Sequence, residues 1–325
     1  MTPRVSKRCA RLHSDSKSTK LSHSVGVAPF DASSTSCASQ DDPATCPFAE
    51  KASRWGFSVE HLRGKDRLIV ALDVPTVEEA LAVVDQLDNV SFFKVGLQLF
   101  MTGGLPTLLQ RLTQKEGRQV FADLKVPGDI ANTISGVVQV CVAMKVTFLT
   151  LSESMPLPAI AAAKAARDTQ HSSKPKLLTV PFLSSLDATD LGAIATGETS
   201  LETFILKRAH AAVEAGCDGI IASGQAIKVC RTAFPRPTII VSPAIRPAGS
   251  SHDDHKRFTT PAEAMRLGAD YLVVGRPILK DPDPREAAQR VIAEIDGALG
   301  SDTSSSQSGM RRAKTRSASR PAAIA

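Results

Sequence analysis

Aromatic side chains are scarce in this 325-residue chain: 4% of residues, with Trp55 and Tyr271 the sole tryptophan and tyrosine. A surface that binds nucleic acid by stacking bases needs such rings, so their scarcity argues against that class. No apolar run approaches the roughly 20 residues that span a bilayer. No G-x-G-x-x-G follows the first β-rich run, so a dinucleotide site is not indicated. The six cysteines form no C-x-x-C pair, and Cys9, Cys37 and Cys46 fall in the first 50 residues. Cys141, Cys217 and Cys230 sit in or beside expected helices and strands, where a free thiol packs as a small apolar group. Neither a disulfide framework nor a zinc site follows, and a reducing compartment fits.

The formal charge of +6 suggests a nucleic-acid partner until it is divided along the chain. Residues 1–65 carry ten Lys or Arg against six Asp or Glu, and residues 300–325 carry five against one. The stretch between is therefore slightly acidic, and the expected partners include neither nucleic acid nor membrane. Both ends are low in complexity. Residues 1–60 are rich in Ser, Thr and Ala without apolar periodicity. They read as a disordered extension, a transit peptide or the product of a start assigned too far upstream. The stretch 300–325 reads as a disordered basic tail, and the expected location is cytoplasmic.

Residues 61–299 alternate with regularity. β-rich runs occur at RLIVALD (67–73), VSFFKVG (90–96), RQVFADLK (118–125), KVTFLTL (145–151), KPKLLTVPF (174–182), CDGIIAS (217–223), PTIIVSP (237–243) and ADYLVVG (269–275). Stretches of helical composition separate them, such as TVEEALAVVDQL and LETFILKRAHAAVEAG. Near-continuous apolar strands covered by helices mean a parallel sheet, and eight such units predict a closed (β/α)₈ barrel. An open doubly wound sheet is the competing architecture.

In such a barrel the C-terminal strand ends face the active site. Those ends offer Asp73, Lys94, Asp123 with Lys125, Ser152, Ser184 with Ser185, Ser223, Arg246, and Gly275 with Arg276. The charges cut into apolar runs at IVALDVP, FFKVGL and FADLKV, which a strand has no structural need to do. Two acids and two amines from neighbouring strands keep each lysine protonated. A buried ion network that merely closes the barrel end is the plainer reading, but desolvation offsets most of its stabilisation. Arg246 and Arg276 follow the seventh and eighth strands, between which barrels commonly bind phosphate. Arginine offers a bidentate fork, and Gly275 lets backbone amides approach. The polar loop SSHDDHKRFTTPAEA between them could close over a ligand.

These motifs resemble the orotidine 5'-phosphate decarboxylase family over about residues 66–298: ALDVPT, FFKVGLQLF, FADLK followed by DIANTI, FLSSLD, IVSPAIRPAG, DDHKR and LVVGRPI. The resemblance implies a homodimer with shared active sites that converts orotidine 5'-phosphate to UMP without metal or organic cofactor. Lys125 is then similar to the lysine that protonates the pyrimidine C6, and Asp123 to the acid beside the substrate carboxylate. Asp73 and Lys94 take the ribose hydroxyls and hold the array, and Asp129 is a second acid reaching the partner's site. Thr133, Ser184, Ser185 and Pro243 are implied as substrate contacts, with Arg246, His255, Gly275 and Arg276 on the phosphate side. The first 65 residues are too short for the phosphoribosyltransferase domain that some relatives carry fused.

Three departures stand out. Three residues, Val126, Pro127 and Gly128, separate Lys125 from Asp129 where the family usually has two. A bulge at Pro127-Gly128 is expected to absorb the extra one. The fourth strand end carries Ser152 and Ser154 in place of histidine, and His255 replaces glutamine in the mobile loop. Three rivals remain at this level, one of them nucleic-acid binding through the basic tails, which predicts salt-sensitive retention lost on removal of residues 300–325. A metal-dependent sugar-phosphate keto-acid decarboxylase would want an acid where Lys94 or Ser152 stands, with Glu153 the nearby candidate. A non-catalytic phosphate-binding barrel would have lost activity through the departures.

Overall fold

The apolar runs become eight short strands: β1 (Leu68–Ala71), β2 (Phe92–Gly96), β3 (Gln119–Val126), β4 (Phe148–Leu151), β5 (Lys176–Thr179), β6 (Gly219–Ile221), β7 (Ile239–Ser242) and β8 (Tyr271–Val274). The computed structural model describes residues 62–114, 118–195, 197, 200–247 and 257–316. Each strand pairs in parallel with the next, and β8 returns to β1 through Leu68–Leu272, Ile69–Val273 and Val70–Val274. The sheet is a closed barrel in sequence order, not the open alternative.

Side chains alternate across a strand, and this chain uses both faces for packing. Leu68 and Val70, Phe93 and Val95, and Val120 and Ala122 belong to the core shared with the surrounding helices. Ile69 and Ala71, Phe92, Phe121, Phe148, Leu178, Ile239 and Val241, and Tyr271 and Val273 fill the barrel itself. The scarce aromatics are concentrated there. Phe148 meets Phe92 and Tyr271 edge-on at 5.1 Å between ring centroids, and Phe121 at 5.9 Å. These contacts form a solid floor beneath the mouth.

Helices cover the outside, among them Val77–Gln86, Ala131–Ala143, Leu157–Asp168, Leu201–Ala215 and Pro284–Arg316. Thr76, Ser200 and Thr260 cap their helices by accepting a backbone N–H three residues on. Three further helices, Leu97–Met101, Leu191–Ile194 and Arg276–Leu279, are too short to show a period in sequence. The last helix runs past residue 299, where the sequence reading ends the barrel. Cys141, Cys217 and Cys230 are buried free thiols, with burial pushing the Cys141 and Cys230 thiols up to about 12. They are packing residues. No helix among the described residues is long and apolar enough to cross a membrane.

Candidate active site at the barrel mouth

The inward parity that fills the barrel continues to the C-terminal strand ends and just beyond them, and supplies a cavity of about 460 Å³. From Ile69 and Ala71 it leads to Asp73, from Phe92 to Lys94, and from Phe121 to Asp123 and Lys125. From Val241 and Val273 it leads to Pro243 and Gly275. All of these except Ile69 and Phe92 line the cavity, together with Ser184, Ser223, Arg246, Arg276 and Lys280.

Four charges form a chain across the mouth. The Lys94 Nζ donates to Asp73 Oδ1 at 2.8 Å and lies 3.5 Å from Asp123 Oδ2. The Lys125 Nζ reaches both Asp123 oxygens at 3.0 Å. The side chains of Lys94 and Asp123 are 10% and 15% exposed, against 37% for Lys125 and 55% for Asp73. The inner pair anchors the array and the outer two face the cavity. Burial alone would lower the pKa of Lys94, but Asp123 and Asp73 outweigh it and hold the ammonium above its usual range. Burial would raise that of Asp123, but Lys94, Lys125 and the hydrogen bond from Thr150 hold the carboxyl below its usual range. The two inner groups of the array are therefore charged at neutral pH.

Thr150 on β4 was not singled out from sequence. Its hydroxyl donates to Asp123 Oδ1 at 2.9 Å and accepts from the Lys125 backbone N–H at 2.9 Å. It thereby joins the acid and the amine to the neighbouring strand. It shares inward parity with Phe148, a signal that the run FLTL contains. The β3–β4 register shifts between Ala122 and Val126, upstream of the expected Pro127-Gly128. Within that bulge Lys125 adopts φ 44°, a left-handed conformation uncommon for a lysine. Gly128 serves a different purpose from the one expected, since a Cβ there would stand 2.8 Å from Pro156 Cδ and 2.9 Å from the Ser154 carbonyl. Gly128 in the loop after β3 is packed against the loop after β4.

Not every expected site residue gathers here. Asp129, Thr133 and Ser185 are exposed and lie outside the cavity lining. The Asp129 carboxylate accepts from the Ile130 N–H at 2.6 Å, just ahead of the helix Ala131–Ala143. Ser152 is buried, bonded to Ser154 at 2.9 Å, and does not line the cavity, nor does Glu153. His255 lies outside the described residues.

On the other side of the mouth, Arg246 is buried, with its backbone N–H donating to Thr259 O and its Nη1 to Ile245 O, each at 2.9 Å. Arg257 of the DDHKR motif donates to Leu183 O at 2.7 Å and stacks over Phe182 at 5.1 Å. It ties the segment after β7 to the loop after β5. Lys280, in the turn after the short helix Arg276–Leu279, adds a third cation beside the two arginines. Sequence reading stopped at the strand end and missed it. A cavity with paired charges on one wall and cations on the other suits a polar, anionic ligand.

Fold and mouth together define a (β/α)₈ barrel protein with its polar site at the C-terminal strand ends. Residues 66–291 match the family described as "Orotidine 5'-phosphate decarboxylase / HUMPS". The chain belongs to that family. Curated relatives include the orotidine 5'-phosphate decarboxylase of Rhodopseudomonas palustris (strain ATCC BAA-98 / CGA009), 42% identical over 238 residues, or 73% of this chain and 97% of the relative. That of Moorella thermoacetica is 39% identical over 240 residues, or 72% of this chain and 94% of the relative. Among solved structures, orotidine 5'-phosphate decarboxylase from Lactobacillus acidophilus matches with TM-score 0.61 and 30% identity. That alignment covers 70% of this chain and 98% of that one.

Proposed function

We propose that this chain decarboxylates orotidine 5'-phosphate to UMP and carbon dioxide, a step of pyrimidine nucleotide synthesis, using its own side chains in place of metal or organic cofactor. The observation that carries the reading is the chain Asp73–Lys94–Asp123–Lys125 opening on the cavity.

The chemistry follows from the charges. When the C6–carboxylate bond breaks, carbon dioxide leaves and the electron pair stays on a ring carbon with no adjacent π acceptor. A fixed cation where that charge develops is the main available help, and it acts strongly because it needs no reorganisation. The Lys125 ammonium supplies this cation, then its proton passes to C6 and the neutral amine regains one from solvent. Asp123 accepts from Lys125 at 3.0 Å, which orients the ammonium. It also places negative charge near the departing carboxylate, and that repulsion ends on release. Asp73 and Lys94 face the ribose hydroxyls. Arg246 and Arg276, with Ser184 and Pro243 toward the base, hold the distant phosphate, whose binding energy supports closure around the reacting carbon. His255 is assigned to the same phosphate on sequence resemblance alone.

The active form in this reading is a homodimer. Leu97, Phe100, Met101, Ile130 and Val140 are large apolar side chains left exposed on helices and loops that follow β2 and β3. A second copy covering them would bury a patch that a monomer leaves wet. Asp129 and Thr133 are exposed on this flank beside Ile130 and outside their own cavity lining, which supports assigning them to the partner's cavity. The metal-dependent alternative gains no support, since Lys94 is paired with two acids at the β2 end and Glu153 lies outside the lining. Purified protein should release carbon dioxide and UMP from orotidine 5'-phosphate at a rate unchanged by EDTA. An inactive but folded protein that still binds UMP would favour the non-catalytic barrel.

A further inference from the structure

Away from the mouth, a cavity of about 350 Å³ opens where β3, β4 and β5 begin. Arg118 precedes β3, Lys145 and Thr147 precede β4, and Ser172, Ser173 and Lys174 precede β5. All six line the cavity, and no carboxylate does. Three consecutive strand entries thus each bring a cation to one hollow. Among the described residues, none of these cations has an ion pair. Asp85 and Asp88 act on Arg118 through space, but Asp88 is paired with Arg285 at 3.1 Å and neither lines the hollow.

The cations are held in place. Arg118 lies over the Phe93 ring at 5.2 Å and its Nη2 donates to Val84 O at 3.5 Å, while its Nη1 is buried with no acceptor. Lys145 closes the helix Ala131–Ala143 in the left-handed conformation, φ 56°, donating to Val142 O at 3.0 Å while Val146 donates to Cys141 O at 3.0 Å. Glycine occupies that position without strain. A lysine there carries a backbone cost and sets an ammonium at the rim. The Ser172 hydroxyl donates to Lys174 O at 2.6 Å and accepts from its N–H at 3.1 Å, which fixes the third arm.

We infer that this hollow is a second anion site, separate from the mouth, that takes a phosphate group. One guanidinium, two ammonium groups and the Ser173 hydroxyl match the charge and the oxygens of a phosphate. The volume admits a bare phosphate or a small phosphomonoester. The inference does not depend on the decarboxylase reading. Its rival is that the cations only offset the C-terminal ends of the helices Leu105–Gln114, Ala131–Ala143 and Leu157–Asp168, which finish nearby.

The test titrates inorganic phosphate into the full-length protein by calorimetry at constant ionic strength, with sodium chloride as control. Wild type, K145Q/K174Q and R246Q/R276Q are compared. Two phosphate sites are expected in wild type and one in each double variant, with the two variants losing different sites. Phosphate should also raise the melting temperature of both double variants, each by less than that of wild type, through the one site each keeps. A K145Q/K174Q isotherm identical to wild type would overturn the proposal. So would a drop in melting temperature that is the same with and without phosphate, as the helix-end rival requires. If K145Q/K174Q is too unstable to titrate, Lys174→Gln alone reads the same loss. A parallel titration with glycerol 3-phosphate separates the sources: tighter binding than phosphate assigns the site to a phosphomonoester, equal or weaker binding to the free ion.

Discussion

The two ends of the barrel both bury aspartates against cations, but they do so with different partners and to different effect. At the base, Asp270 just before β8 accepts from Arg231 Nη2 at 2.5 Å, Arg236 Nε at 3.1 Å and the Ile240 N–H at 2.8 Å. Asp218 just before β6 pairs with Arg167 and accepts from the Leu177 N–H at 2.8 Å. Each carboxylate there ties a neighbouring strand's backbone N–H to an arginine. At the mouth, Asp123 meets two lysines, whose compact ammonium groups can turn toward a ligand. These base aspartates are tied up in the frame of the barrel, while the mouth keeps an ammonium and a carboxylate facing an open cavity. In a barrel, the base carries stability and the mouth carries chemistry.

Paired substitutions break this comparison most sharply. Lys125→Ala should lower kcat/KM by at least about a thousandfold, because it removes both the cation and the proton donor, with little change in melting temperature. Asp270→Ala should do the reverse, costing about 3–5 kcal/mol by leaving the largely buried Arg231 unpaired. Its folded fraction should turn over nearly normally. Denaturant unfolding and steady-state kinetics on the same preparations give both numbers. Comparable stability losses from the two variants would remove the distinction.

Mixing subunits tests the shared sites. Lys125→Ala and Asp129→Ala homodimers should each be nearly inactive. Exchange between them should restore about a quarter of wild-type turnover, since half the dimers carry one intact site. No recovery after demonstrated exchange would return Asp129 to a purely local role. A smaller effect comes from the phosphate wall. Arg276→Ala should raise KM roughly a hundredfold and lower kcat/KM, and Lys280→Gln should raise KM only severalfold, as fits a more exposed cation. An unaltered Arg276→Ala profile would remove the phosphate assignment.

pH sharpens the contrast least. Asp123 is held below its usual range, so its stabilisation is present above the ordinary carboxylate pKa and is lost as pH falls through the lower folded value. Lys94 is held above its usual range, so its share is present below the ordinary lysine pKa and is lost as pH rises through the higher folded one. The array should therefore contribute fully across neutral pH. An Asp123→Asn variant should lose the Asp123 share of the acid-limb dependence, so its stability should fall less steeply with acid than that of wild type in denaturant titrations.

The barrel and most of the mouth were legible because parity is simple: where an apolar strand meets a charge on its inward face, the charge belongs to the cavity. Asp73, Lys94, Asp123 and Lys125 follow that rule, and Arg246 was legible instead from its place in the loop after the seventh strand. Thr150 obeyed it too, but a lone threonine in FLTL carries no charge to draw notice. Lys280 was hidden because it sits one helical turn beyond the strand end. The left-handed Lys125 could not be read, since it arises from the β3–β4 register, which is a property of two strands together. Nor could the outward position of Asp129, which follows a loop where Gly128 comes close to Pro156 and the Ser154 carbonyl. The base aspartates were overlooked although CDGII and ADYLVV each place an acid immediately before an apolar run. Attention to strand exits alone misses what strand entries do.

Proton exchange at the pyrimidine ring tests the role of Lys125 most directly, because it isolates that step from carbon dioxide release. Incubated with UMP in deuterium oxide and followed by proton NMR, wild-type protein should replace the C6 hydrogen with deuterium, and Lys125→Ala should leave it in place while still binding UMP. Exchange by Lys125→Ala at the wild-type rate would contradict the account.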